Sequence, residues 1–176
     1  TEEHYPDSGL ICGGTVTVFI EPVTAPALHV FGAGHVGHAT ARLATDAGFA
    51  ATLYDDRADM LDEDRLPQGA RGVPGEWEDT AQAARVGELD FVVVMTRGHH
   101  DDERVLAALA AAGVAPRFLG MIGSRSKRVT LTERLAERGY PGLRIFNFGV
   151  GGMAAHEADF TLRYVLGAEP ERLRWV

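Results

Sequence analysis

The sequence predicts an α/β fold, a doubly wound and mostly parallel sheet with helices on both faces. Three observations carry the prediction. From residue 27 onward, short apolar runs of strand length alternate with segments of helical period, the pattern of parallel strands joined by right-handed helical crossovers. Between the first such strand and the first helix lies Gly32-Ala33-Gly34-His35-Val36-Gly37, and the next strand closes in Asp55-Asp56. A glycine turn opening a helix, followed by an acid at the end of the second strand, is the order of a dinucleotide-binding unit. The predicted domain is therefore Rossmann-like.

The elements follow in order. Thr15 to Glu21 alternates, with Val16, Val18 and Ile20 on one side and Thr15, Thr17 and Phe19 on the other, and predicts a strand. Pro22 and Pro26 bracket a break that reads as a connection between domains. Strands are then expected at Ala27–Phe31, Ala51–Asp55, Arg71–Val73, Phe91–Thr96, Arg117–Ile122 and Leu143–Phe148. Helices are expected over His35–Ala47, Asp101–Ala112, Ser124–Arg138 and Ala154–Leu166. The stretch Gly69 to Asp79, with Trp77 and little periodicity, reads as a long surface loop.

A chain of 176 residues, 45% apolar and 24% charged, has the composition of one soluble globular domain. A formal charge of -8 argues against a nucleic-acid partner, whose phosphates call for surplus Lys and Arg. No apolar run approaches the roughly 18 residues of a membrane span, and no signal pattern opens the chain, so a cytoplasmic location is expected. A single cysteine, Cys12, excludes an intrachain disulfide framework. The chain opens at Thr1 rather than at a methionine and reads as a piece of something longer.

Four motifs carry candidate chemistry. In the first, Gly32, Gly34 and Gly37 permit a tight turn and close approach of an anion to the helix amides, with His35 set inside the turn. Asp55 and Asp56 stand where an acid accepts from a ribose diol, and Arg57 beside them leaves NAD against NADP open, since its guanidinium suits a 2′-phosphate or an ion pair equally. In the second, Thr96-Arg97-Gly98-His99-His100-Asp101-Asp102 leaves a strand at the edge where open parallel sheets bind ligands. Its histidines and acids suit acid/base or metal chemistry, whereas the plainer reading is that Asp101 or Asp102 caps the next helix.

In the third, Gly120-Met121-Ile122-Gly123-Ser124-Arg125-Ser126-Lys127-Arg128 sits at another strand-to-helix junction, where Ser124 can cap and Arg125 and Lys127 add positive charge beside the first amides. It is either a second phosphate site or a capped helix with a basic solvated face. In the fourth, Cys12-Gly13-Gly14 offers an unobstructed thiol that suits a soft metal, a persulfide or an electrophile, against the plain reading of a small buried apolar group.

Taken together, "CGGTVTVFIEP", "FGAGHVG", "YDDR", "TRGHHDD" and "GMIGSRSKR" resemble the XdhC/CoxF family, accessory proteins of xanthine dehydrogenase and related molybdenum hydroxylases. The resemblance runs over residues 10 to 139. It implies a Rossmann-like domain over residues 27–176, with residues 1–26 holding the last strand and linker of an upstream domain. It further implies a chaperone more than a catalyst: a protein that binds molybdenum cofactor (molybdopterin), assists its sulfuration with a cysteine desulfurase, and delivers it to an apo molybdenum hydroxylase. On that resemblance Cys12 becomes a sulfur ligand or relay. Gly32, Gly34, His35 and Gly37 form the first ligand loop, Arg97 and His99 the second, and Gly123, Ser124, Arg125 and Lys127 the third. Cys12, His35 and His99 are the candidate metal ligands, while His38, inside the helix, is expected to pack or face solvent.

The family pattern lapses near the end, where the chain reads "IFNFGVGGMAAHEADFTLRYVLGAEPERL". Gly149, Gly151, Gly152 and Glu157 stand as remnants and His156 as a local novelty. Two other classes remain open on the residues alone: an NAD(P)-dependent oxidoreductase, and a Rossmann module that senses a nucleotide without turning it over. A homodimer is expected because two-fold dimers are the commonest soluble assembly.

Overall fold

The computed structural model describes residues 17–19, 25–141 and 144–147. Six strands, β1 (Ala27–Phe31), β2 (Ala50–Asp55), β3 (Arg71–Pro74), β4 (Phe91–Val94), β5 (Phe118–Met121) and β6 (Phe146–Asn147), form one sheet in the order β3-β2-β1-β4-β5-β6. All five pairings are parallel. Four helices alternate with them: α1 (His35–Asp46), α2 (Trp77–Ala83), α3 (His99–Ala111) and α4 (Arg125–Glu137), with a 3-10 turn at Ala58–Leu61. Strand order reverses between β1 and β4, so the crevice at the carboxyl end of those two strands is where a ligand would sit.

Two apolar clusters show that both faces are covered. On one, α1 brings Ala41 and Ala44 against Val30, Leu53 and Val93. On the other, Trp77 and Ala81 of α2, Val105, Leu106 and Leu109 of α3, and Leu131 and Leu135 of α4 pack on Phe31, Val92, Val94 and Met121. Central strands buried on both sides are mainly apolar, and β1 and β4 lose nearly all exposure from Leu28 and Val92 onward, with His29 the one polar residue among these buried positions. In α1 the buried positions are Gly37, Ala41 and Ala44, at helical spacing, and their small size lets the helix lie close on β1 and β2.

Several expectations are corrected in detail. The strand expected at Arg71–Val73 forms as β3 (Arg71–Pro74), but the rest of Gly69 to Asp79 is not surface loop: an unexpected helix, α2, starts at Trp77, whose side chain is fully buried. The only large apolar residue of α2 is Trp77, so periodicity gives no sign of the helix, yet an indole buried against α3 and β2 contributes a large apolar area. Helix α3 starts at His99 rather than Asp101, because Gly98 is extended and the helix nucleates directly after it. Of the strand expected over 15–21, Thr17–Phe19 carry no regular structure, and the rest lies outside the described residues, as do Cys12 and the helix expected at 154–166.

Candidate functional site

The glycine turn is built as the fingerprint requires. Gly32 has φ of +117°, and a Cβ there would lie 2.4 Å from the Met95 carbonyl oxygen. At Gly37 a Cβ would fall 1.8 Å from the Gly32 carbonyl oxygen, so this glycine lets α1 seat on its own turn. Gly34 differs: nothing stands within 4 Å of the position its Cβ would take. The open space above Gly34 is what a ligand would fill. Helix α1 has no side-chain cap and no acid in its first turn, so its leading amides keep the positive end of the helix dipole uncompensated. His35 stands exposed at its first position.

The acids at the end of β2 divide their work. Asp55 is buried, and both of its carboxylate oxygens are engaged within the protein. One accepts the Ala33 amide at 2.7 Å and the Arg57 Nη2 at 3.0 Å; the other accepts the Arg57 amide at 3.0 Å and its Nε at 2.8 Å. Burial alone would raise its pKa, but the hydrogen bonds from Arg57 and from the Ala33 and Arg57 amides outweigh it and hold the group below the usual carboxylate range. Asp55 thereby pins the glycine turn to β2, and Arg57 is paired inside the chain. Asp56 points the other way. Its pKa is raised, first by burial and then by the neighbouring Asp55 carboxyl, against the pull of Arg97. One oxygen pairs with the Arg97 guanidinium, while Oδ1 is buried with no hydrogen-bond partner.

The segment leaving β4 is anchored by Asp102. This fully buried carboxylate accepts the Thr96 hydroxyl at 2.6 Å and the Thr96 amide at 3.2 Å, and its second oxygen forms an ion pair with Lys127. Lys127 also donates to the Ile122 carbonyl at 3.2 Å. The two loops leaving β4 and β5 are thus tied together by one buried charge pair. Gly123 leaves room for it, because a Cβ there would lie 2.6 Å from the Lys127 Cδ. Neither Asp101 nor Asp102 caps α3; the N-cap is Gly98, without a side-chain hydrogen bond, and Asp102 turns back to Thr96 instead. Ser124 does cap α4, accepting the Lys127 amide at 3.1 Å.

At the carboxyl edge of the sheet the structure gathers His35, Arg97, His99, Ser124 and Arg125, from the three loops that follow β1, β4 and β5. A cavity of about 330 Å³ lies between α3 and α4, lined by His99, Ser126, Lys127, Thr130, Leu131 and Arg134. His38 packs inward, its Nε2 2.9 Å from the Met60 carbonyl oxygen. Among the described residues no group of three or more His, Cys, Asp or Glu is placed to hold a metal ion. The sequence reading missed the buried pairing of Asp102 with Lys127. Its partners stand 25 positions apart, in the first turns of separate helices, and the only local hint was two adjacent acids at one helix start.

This is a Rossmann domain, with the loops after β1, β4 and β5 together at the carboxyl edge of its sheet. The chain belongs to the XdhC Rossmann domain family, whose model matches residues 28–148. It is 30% identical over 133 residues to the uncharacterized protein YqeB of Escherichia coli (strain K12), an overlap covering 74% of this chain and 24% of that protein. A xanthine dehydrogenase from Bacillus halodurans superposes with a TM-score of 0.60 at 18% identity, over 83% of this chain and 44% of that one. The TrkA-N domain of the inner membrane protein ybaL from Escherichia coli superposes at 0.51, also at 18% identity, over 82% of this chain and 98% of that domain. The chain therefore spans less than half the length of YqeB and of the Bacillus protein. Among the described residues no helix is long and apolar enough to cross a membrane.

Proposed function

We propose that this domain serves the maturation of a xanthine dehydrogenase-type molybdenum hydroxylase, binding molybdenum cofactor by its phosphate-bearing pterin and passing it on. Membership of the XdhC family supports the role, and one feature of the site favours a pterin over a dinucleotide: Asp55 is engaged by Ala33 and Arg57. Of the two acids at the end of β2 that a dinucleotide's ribose would call for, Asp55 is occupied within the protein and Asp56 is paired with Arg97, while the open turn at Gly34 and the uncapped α1 remain suited to a phosphate.

In this reading the α1 amides, with His35 beside them, hold the anion. The ring system lies toward the loops after β4 and β5, where Arg97, His99, Ser124 and Arg125 offer donors. Lys127 acts one step back, fixing the Asp102 anchor that sets the position of the Arg97 loop. Cys12, as sulfur ligand or relay, belongs to the same reading, together with a cysteine desulfurase, a cytoplasmic setting and a two-fold dimer. The test is equilibrium binding of the full-length protein to molybdopterin and to NAD(H) and NADP(H): preference for the pterin supports the reading, and preference for a dinucleotide overturns it.

A further inference from the structure

The Asp56–Arg97 ion pair joins the carboxyl end of β2 to the carboxyl end of β4, and β1 lies between those two strands. The pair therefore crosses the end of β1, above the turn from which Gly34 and α1 rise, at the mouth of the crevice. Arg97 is half exposed and is drawn toward acids only: Asp56 directly, and Asp101 at 3.7 Å. On the other side, Asp56 keeps Oδ1 buried without a hydrogen bond, held only by a long ion pair to the Arg57 Nε at 3.8 Å, whose hydrogen bond goes to Asp55. An ion pair that leaves one buried acceptor oxygen unsatisfied is an incomplete arrangement, and the guanidinium of Arg97 is the flexible half of it.

We propose that Asp56 is an autoinhibitory partner of Arg97, holding its guanidinium away from the anion position at the α1 amides until a phosphate or diphosphate group displaces it. A diphosphate carries more charge than a carboxylate and offers several oxygens in the geometry that a guanidinium binds in bidentate fashion, so it competes well for a half-exposed arginine. Exchange opens the mouth of the crevice and adds a cation to the anion site in one motion. Asp56 thus sets the threshold of ligand charge at which the site responds. The proposal rests on the glycine turn being an anion site, but not on the ligand being a pterin.

A double-mutant cycle tests it, with inorganic pyrophosphate as the probe, by titration calorimetry on the full-length protein at fixed ionic strength. Asp56→Asn should bind pyrophosphate roughly fivefold more tightly than wild type, the factor expected for release of a partly exposed charge pair. Arg97→Gln should bind more weakly, and the Asp56→Asn gain should vanish in the Arg97→Gln background. If the gain persists without Arg97, Asp56 acts only as general negative charge and the proposal fails. It fails equally if Asp56→Asn binds no better than wild type, or if neither form binds pyrophosphate. Asp56→Ser serves as a second release variant, so that misfolding of one does not decide the result. A site that binds pyrophosphate with the predicted coupling yet rejects molybdopterin would overturn the cofactor reading and leave the Asp56–Arg97 exchange standing.

Discussion

The three glycines of the first turn respond differently to one added methyl group, and the geometry says how. In Gly37→Ala the new Cβ meets the Gly32 carbonyl oxygen at 1.8 Å, far inside van der Waals contact. The carbonyl cannot retreat freely, because the Gly32 amide donates to the Tyr54 carbonyl at 2.8 Å and holds the turn to β2. Overpacking of this kind costs about 1–3 kcal/mol and sometimes more, against about 1 kcal/mol regained in helix propensity. A backbone clash this short belongs at the upper end, for a net loss of about 2 kcal/mol or more. For a chain of this size that lowers Tm by roughly 4–8 °C.

Gly34→Ala has no such penalty, since its Cβ meets nothing within 4 Å and its φ of -74° suits alanine. Loss of unfolded-state freedom stabilises by about 0.4–1 kcal/mol, and the poorer N-cap offsets a similar amount. Stability should therefore stay within about 0.5 kcal/mol of wild type by urea unfolding, while affinity for an anionic ligand drops at least tenfold as the methyl occupies the approach to the amides. Wild-type affinity in Gly34→Ala, or wild-type stability in Gly37→Ala, would refute this account of the turn.

The buried charge pair makes a prediction of order. Lys127→Met leaves the fully buried Asp102 without its counter-ion and should cost about 3–5 kcal/mol in urea unfolding, more than Asp102→Asn, which leaves a lysine 22% exposed and able to reach water; the reverse order would show that the pair contributes differently. His29 makes one of pH. Burial, acting against Asp90, lowers its pKa below 6.5, so the unfolded chain takes up the proton first. Its stabilising contribution is present above pH 6.5 and lost as pH falls toward the lowered value. The urea midpoint should drop between pH 7.5 and 5.5 more steeply in wild type than in His29→Gln, and equal slopes would count against a neutral buried His29.

What was legible in the sequence was local or periodic. The strand and helix alternation, the glycine turn and the Ser124 cap are each encoded within a few residues, and Ser124 and Lys127 lie only three apart. Helix α2 was hidden because it is seven residues long and carries Glu78, Asp79 and Gln82, too short and polar to show a period. The site's wiring was hidden for another reason. Asp55 to Ala33 spans 22 positions and Asp56 to Arg97 spans 41, so whether an acid at the end of β2 faces a ligand or its own backbone is decided by tertiary placement. Adjacent acids of identical type in "YDDR" proved to have different environments, one with both oxygens hydrogen-bonded and the other with a buried oxygen that makes no hydrogen bond.

The most direct measurement is competition between molybdopterin and NADH for the full-length protein under anaerobic conditions, followed in wild type and Gly34→Ala. The account predicts that molybdopterin binds, that excess NADH fails to displace it, and that Gly34→Ala abolishes the binding without altering the unfolding curve. Displacement by NADH at equal concentration, or molybdopterin binding that ignores the methyl at position 34, would contradict it.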